Sequence, residues 1–87
     1  MPDQLDLTTL DLQDLVAIVY ADWGNVNPYA ASYLNALDVN DCHTLDDPVG
    51  NETAEIQIGH LLANAAGWRG ETARAVKAEL RRRLTRR

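Results

Sequence analysis

Hydrophobic positions recur along this chain at helical spacing and nowhere alternate in the manner of a strand. Leu12, Leu15, Val16, Val19 and Trp23 fall within roughly 100° of a helical wheel, with Asp11, Asp14 and Asp22 on the other side, which predicts a first amphipathic helix. Thr8 with Asp11 three positions later fits a capping box, and Asp11 is an alternative cap one turn on; acids in the first turn suit the helix dipole in either case. Gly24-Asn25 ends the helix. Asn27-Pro28 restarts the chain, Asn as cap and Pro at the first helical position, where its missing N–H costs nothing. The second helix is expected from Pro28 to about Asp38, with Tyr29, Tyr33, Leu34 and Leu37 as its apolar stripe.

Residues 38 to 52 concentrate loop-forming and acidic residues and read as a loop. Asn51 is placed to cap a third helix carrying Ile56, Ile58, Leu61, Leu62, Ala65 and Ala66, which Gly67 would close as a left-handed residue. Ala54, Gly59, Ala63, Ala65 and Ala66 make this helix slender and suggest it as the centre of the bundle. A fourth helix after Trp68-Arg69-Gly70 carries Ala73, Val76, Leu80 and Leu84 on one face, Glu71 in its first turn and arginines in its last turns, the favourable order for the dipole. The expected architecture is a single all-α domain, residues 1–87, a compact bundle of three to four helices with Trp23 and Trp68 as core anchors near the interhelical turns. Tyr29 and Tyr33, at helical spacing, are read as core rather than interface. Ile18 departs from the pattern: it falls on the acidic side of the first helix, so a second contact, such as another subunit, would explain it.

Length sharpens that reading. Eighty-seven residues hold one core, and a chain of that size buries only about 60 to 65% of its unfolded surface, so self-association would add useful stability. Charge is strongly segregated: eleven acidic residues and no basic one precede Arg69, and eight basic and two acidic residues follow from it, within a net charge of −5. Either the basic segment folds back on the acidic one, or it is offered to an outside anion. Arg74, Lys77 and Arg81 gather on one flank of the fourth helix, and Arg82, Arg83, Arg86 and Arg87 add charge near its end. A solvated helix with Glu79 paired to Arg83 is the plainer alternative. The single cysteine, Cys42, excludes an intramolecular disulfide and suits a reducing, cytoplasmic setting. No segment has the features of a secretion signal or a membrane span.

Candidate chemistry is sparse. Cys42-His43, with Asp46, Asp47 and a distant His60, invites a thiol–imidazole pair or a metal site. Sequence neighbours rarely make a catalytic pair, and a zinc site takes four ligands in paired spacings where this chain has one Cys and two His. Asp38, Asn40 and Cys42 resemble the opening of a calcium loop, but His43 stands where the loop needs glycine and Val49 where it needs its bidentate acid. No phosphate loop, Ser-His-Asp set or carboxylate pair emerges. The expectation is a non-enzymatic protein with no cofactor and no resident metal.

Two blocks carry a resemblance. Tyr20-Ala21-Asp22-Trp23-Gly24-Asn25-Val26-Asn27-Pro28-Tyr29-Ala30-Ala31, with Tyr33-Leu34-Asn35-Ala36-Leu37, and Leu62 through Trp68-Arg69-Gly70-Glu71-Thr72-Ala73-Arg74 to Lys77 and Glu79-Leu80 cover a little over half of the chain. They resemble small helical proteins encoded by phages, prophages and integrative elements of Gram-positive bacteria. Ser32 stands where such proteins tend to have Pro, and the Cys-His acidic loop is not a feature of the group. The resemblance implies a mobile-element accessory protein in the host cytoplasm, acting by binding other proteins. The leading expectation is therefore a self-associating protein-binding factor, with Ile18 at its contact. One alternative is a nucleic-acid binder using Arg74, Lys77, Arg81, Arg82 and Arg83; another is an acidic mimic of nucleic acid.

Overall fold

Asp11 starts the first helix. In the computed structural model, which describes residues 6–86, its carboxylate accepts from the Asp14 N–H at 3.1 Å while the Asp11 N–H donates to the Asp14 carboxylate at 3.2 Å. This reciprocal box opens α1, Leu12–Asp22. Thr8 is drawn instead into a 3₁₀ turn, Leu7–Thr9, where its N–H and hydroxyl donate to Asp6. Extended backbone at Leu10 separates the two. α2, Pro28–Val39, begins as expected: Asn27 accepts from the Ala30 N–H at 2.8 Å, with Pro28 beside it.

α2 closes in a Schellman motif. The Cys42 N–H donates to the Leu37 carbonyl (3.1 Å), the Asp41 N–H donates to that of Asp38 (3.0 Å), and Asp41 takes the left-handed conformation, φ 52°. The residues that resembled a calcium loop are thus a helix terminus. The acidic stretch beyond it is not wholly loop, because Pro48–Val49 (β1) and Glu52–Thr53 (β2) pair antiparallel around Gly50-Asn51. Gly50 has φ 62° at the first central position of that turn, where a II′ hairpin takes glycine. Strands of two residues are too short to leave an alternating pattern, which is why the sequence shows none.

α3, Ala54–Ala63, starts later and ends earlier than expected. Its first N–H groups are met by backbone rather than by Asn51: Ala54 donates to the Asp47 carbonyl (2.8 Å) and Glu55 to that of Leu45 (3.0 Å). It stops at Asn64, and the positive φ falls not on Gly67 but on Gly70, at 111°, immediately before α4, Glu71–Thr85.

The helices close a ring in which α1 touches α2, α2 touches α3, α3 touches α4 and α4 returns to α1. The α2–α3 pairing is the most extensive, but each helix has two helical neighbours at its main contacts, so none is central. This corrects the expectation of a central α3. Leu12, Leu15, Val19, Leu34, Leu37, Ile58, Leu61, Val76 and Leu80 meet inside. Trp23 and Trp68 are buried as expected and stacked, with centroids 5.8 Å apart and planes 6° from parallel. The Trp68 Nε1–H donates to Asp22 at 2.8 Å, and the Asn27 amide donates to the Asn64 carbonyl at 2.9 Å. The stretches 20–37 and 62–80 therefore meet in space, where they build the clasp between the α1–α2 and α3–α4 turns.

Two expectations about burial change. Ile18 is half-buried and packs against the core. α1 is flanked by both α2 and α4, so its buried arc is wider than its main stripe, and Ile18 needs no second subunit. Tyr29, read as core, is exposed and Tyr33 is half-buried; on α3 Ile56 is exposed and Leu62 half-buried.

Candidate protein-binding surface

What the reactive side chains can do is decided by their surroundings. Cys42 is fully buried beneath the hairpin, its Sγ 4.0 Å from the Pro48 carbonyl oxygen. Burial pushes its thiol pKa up, and the Asp47 and Asp41 charges push the same way, so the nucleophilic thiolate is disfavoured. Its neighbour His43 turns elsewhere, placing Nδ1 2.8 Å from Asp11 Oδ2 and Nε2 3.1 Å from Asp41 Oδ1. The hydrogen bond to Asp11 is the main cause of a raised His43 pKa. Asp47 holds the loop shut by accepting from the N–H groups of His43 (2.6 Å) and Thr44 (3.0 Å), and those two bonds keep its own pKa low. His60 stacks on Tyr33, far from this loop in the fold, on the α2–α3 side. Among the described residues no group of three or more His, Cys, Asp or Glu is arranged to hold a metal ion.

The basic residues of α4 fare differently from one another. Lys77 donates from Nζ to the carbonyls of Ala65 and Trp68, both at 2.6 Å, and sits 5.9 Å from the Trp68 ring centroid. Both carbonyls lie in the turn around Gly67, beyond the end of α3. Desolvation is the main reason its pKa is lowered, with repulsion from Arg81 and Arg69 adding to it. Arg83, only 16% exposed, donates to Glu79 (2.6 Å) and to the carbonyls of Leu7 (2.9 Å) and Leu10 (2.6 Å), tying α4 to the 3₁₀ turn. Arg82 grips the same Glu79 in a fork, at 2.9 and 2.6 Å. The expected Glu79–Arg83 pair is present, but it is largely buried rather than solvated, Glu79 being 6% exposed.

Three of the five cations proposed for phosphate contact are thus engaged inside the protein. Arg74 and Arg81 remain, and they lie with Ala78 and Thr85 on one exposed stripe at spacings of four, three and four. Arg69, Arg74, Arg81 and Arg86 have no ion-pair partner among the described residues, and no salt bridge among them joins α4 to a carboxylate of α1, α2 or α3. Among the described residues the basic segment reaches the acidic half at the backbone carbonyls of Leu7, Leu10 and Ala65.

On the opposite side of the ring α2 and α3 form an outward face that the sequence reading did not isolate. Tyr29, Tyr33 and Ala36 follow one another at helical spacing on α2, as do Ile56, His60 and Ala63 on α3, and the Tyr33–His60 stack (centroids 5.0 Å apart) joins the two rows. Tyr29 is 71% exposed, Ile56 42%, and Val39, one turn beyond Ala36, 69%. A side chain added at Gly59 would meet nothing within 4 Å, so the middle of the face is open. Asp38 and Glu55 are the only formal charges on these helices, and neither helix has a basic residue other than His60. A signal for this face was available: α2 has apolar residues in two rows, Ala30-Leu34-Leu37 and Tyr29-Tyr33-Ala36, where a helix with one buried side needs one.

Shallow recesses are also present among the described residues. One of about 490 Å³ lies where Thr8, Asp11, His43, Arg82 and Arg86 converge; another, about 590 Å³, lies over Asp22, Asn25, Asn27 and Arg69 beside the paired tryptophans. Both mix carboxylate and guanidinium groups, and both are open to solvent. Comparison with protein-family models, with curated proteins and with solved structures finds no match to this chain. Among the described residues no helix is long and apolar enough to cross a membrane.

Proposed function

We propose that this protein is a non-enzymatic binding module whose partner is another protein, received on the outward α2–α3 face. The observation that carries the reading is the placement of Tyr29, Val39 and Ile56, large and exposed, on two adjacent helices that carry no Lys or Arg. Large apolar side chains exposed together on neighbouring helices are what interaction sites present. The buried Cys42 and the doubly engaged His43 do not form a nucleophile–base pair with one another. The resemblance of the two sequence blocks to mobile-element accessory proteins points the same way. A photo-crosslinking residue introduced at position 39 or 56 is expected to give one discrete protein adduct in cells. The same residue at position 75, on α4, should not give it, and the adduct should vanish on Tyr29→Asp. Equal labelling at all three positions would refute the reading.

A second reading has its own support. Arg74 and Arg81 are exposed and unpaired among the described residues, so α4 can offer a short cationic stripe to phosphates. It predicts salt-sensitive binding of duplex or single-stranded nucleic acid that Arg81→Glu weakens equally for all sequences, since phosphate contacts carry no sequence information. Fluorescence anisotropy with labelled DNA and RNA at two salt concentrations tests it.

A further inference from the structure

We propose that the recess of about 490 Å³ between the chain just before α1, the loop from His43 to Asp46 and the end of α4 is a binding site for a phosphate monoester group. The proposal rests neither on the α2–α3 face nor on the Arg74–Arg81 stripe, with which the recess shares no residue.

The acids at the recess are already engaged. Asp11 lies 2.8 Å from the His43 imidazole and accepts from the Asp14 N–H at 3.1 Å, and Asp46 has an interaction of its own. Glu79, buried beside the lining arginines, accepts three hydrogen bonds from Arg82 and Arg83. What is left over is guanidinium. Arg82 gives Nε and Nη2 to Glu79, while Arg83 gives Nε to Glu79 and Nη2 to the Leu7 and Leu10 carbonyls. The Nη1 of each therefore has no partner among the described residues. Arg83 is largely buried, yet no buried side-chain nitrogen of a described residue is unpaired, so its Nη1 reaches solvent. Arg86 is exposed, and its guanidinium has no partner among the described residues.

Three cationic donors thus converge on a concavity whose acids are occupied. Glu79 offsets one arginine, Asp46 another, and protonated His43 offsets Asp11, so positive charge remains there in a chain of net charge −5. Guanidinium groups take oxyanions through charge-assisted hydrogen bonds. Donors from three arginines match the three terminal oxygens of a phosphate monoester, whereas a carboxylate offers two oxygens and a single charge. Leu10 and Leu45 also line the recess and give the organic part of the ester an apolar wall. A small phosphorylated molecule and a phosphorylated side chain of another protein present this same chemistry.

The test is an NMR titration of the isotope-labelled full chain at constant ionic strength, with phenyl phosphate as the probe and benzoate as its carboxylate counterpart. Phenyl phosphate is expected to move the signals of Leu10, Thr44 and Arg86 saturably and to leave that of Ala75 in place. Benzoate should bind at least about tenfold more weakly. Arg86→Gln should lower the phenyl phosphate affinity at least about tenfold, the effect of one charge-assisted hydrogen bond. Arg69→Gln, the same change at an exposed arginine outside the recess, should leave it within about twofold. Thermal melts of both variants should match that of the unaltered chain. Shifts that do not saturate, benzoate bound as tightly as phenyl phosphate, full affinity in Arg86→Gln, or an equal loss in Arg69→Gln would each overturn the proposal. A phosphoserine peptide that binds at least about tenfold more tightly than phenyl phosphate supports the site with a protein as the source of the phosphate; a peptide that binds no more tightly supports it with a small ester as the source.

Discussion

Removing the charge of Glu79 is expected to lower stability in a way that depends on pH. The carboxylate accepts from Arg82 and Arg83 in an almost dry position, and the Arg82 hydrogen bonds, more than burial opposes them, hold its pKa at about 2 instead of the usual 4.5. Because the folded pKa is depressed, the ionised group stabilises the fold fully above pH 4.5, and that contribution disappears as pH falls from 4.5 toward about 2. At about 1.36 kcal/mol per pH unit the ceiling is roughly 3 kcal/mol. Arg82 is 41% exposed, so solvent screens that part of the interaction and about half the ceiling, ~1.5–2 kcal/mol, is the working figure. For a domain of this size that corresponds to a drop in Tm of roughly 6–15 °C. Thermal melts followed by circular dichroism on Glu79→Gln and the unaltered protein, from pH 7 to pH 2.5, measure it. The gap in Tm should be largest at neutral pH and should close as the acid limb is descended. Asp11 and Asp47 also have lowered pKa values, so the readout is the difference between the two proteins and not either curve alone. Equal Tm values at pH 7, or a gap that stays constant down to pH 2.5, would refute the argument, since the second outcome would mean that shape rather than charge makes the contribution.

Three further outcomes are expected. The His43 pKa is raised by Asp11 and Asp41, so its stabilising charge is complete below about pH 6.5 and is lost as pH rises through the higher folded value. An NMR titration of the imidazole should give a midpoint above 6.5 that returns toward it in Asp11→Asn, and an unchanged midpoint would contradict the clasp. Lys77→Met leaves the buried-turn carbonyls of Ala65 and Trp68 without their donor. The loss should be about 1.5–3 kcal/mol by denaturant titration, and an unaltered midpoint would mean that water replaces the ammonium at no cost. Native Cys42, fully buried and with its pKa raised, should react with an aromatic disulfide reagent no faster than the protein unfolds; rapid stoichiometric release would show the hairpin to be an open flap.

The elements that could be read from the chain are those whose causes are local. Asp11 and Asn27 cap their helices with groups three positions away, Pro28 sits where its own ring suits the first turn, and the Leu12 to Trp23 stripe announces its helix by spacing alone. The all-α architecture and the two tryptophans as core anchors followed from such signals. Misreadings arose where the deciding partner is remote in sequence. The start of α3 is set by the carbonyls of Leu45 and Asp47, so Asn51 is left to the hairpin turn. Gly67 is not left-handed because α3 has already ended at Asn64, and Lys77, one helix later, meets the carbonyls of Ala65 and Trp68 in the turn beyond. Ile18 is covered because α1 has neighbours on two sides, while Tyr29 and Ile56 are bare because the ring closes with α2 and α3 turned the other way. The charge pattern divides along the same line: segregation of acids from bases is plain in the sequence, but which cations are spent inside is not. Arg83 reaches the carbonyls of Leu7 and Leu10, across more than seventy residues, only because the end of α4 lies beside the start of the chain. By itself the sequence determined where helices form, since capping and periodicity act within a turn or two. Which of their faces remain for a partner was decided only by the tertiary structure, because burial and pairing depend on which helices become neighbours.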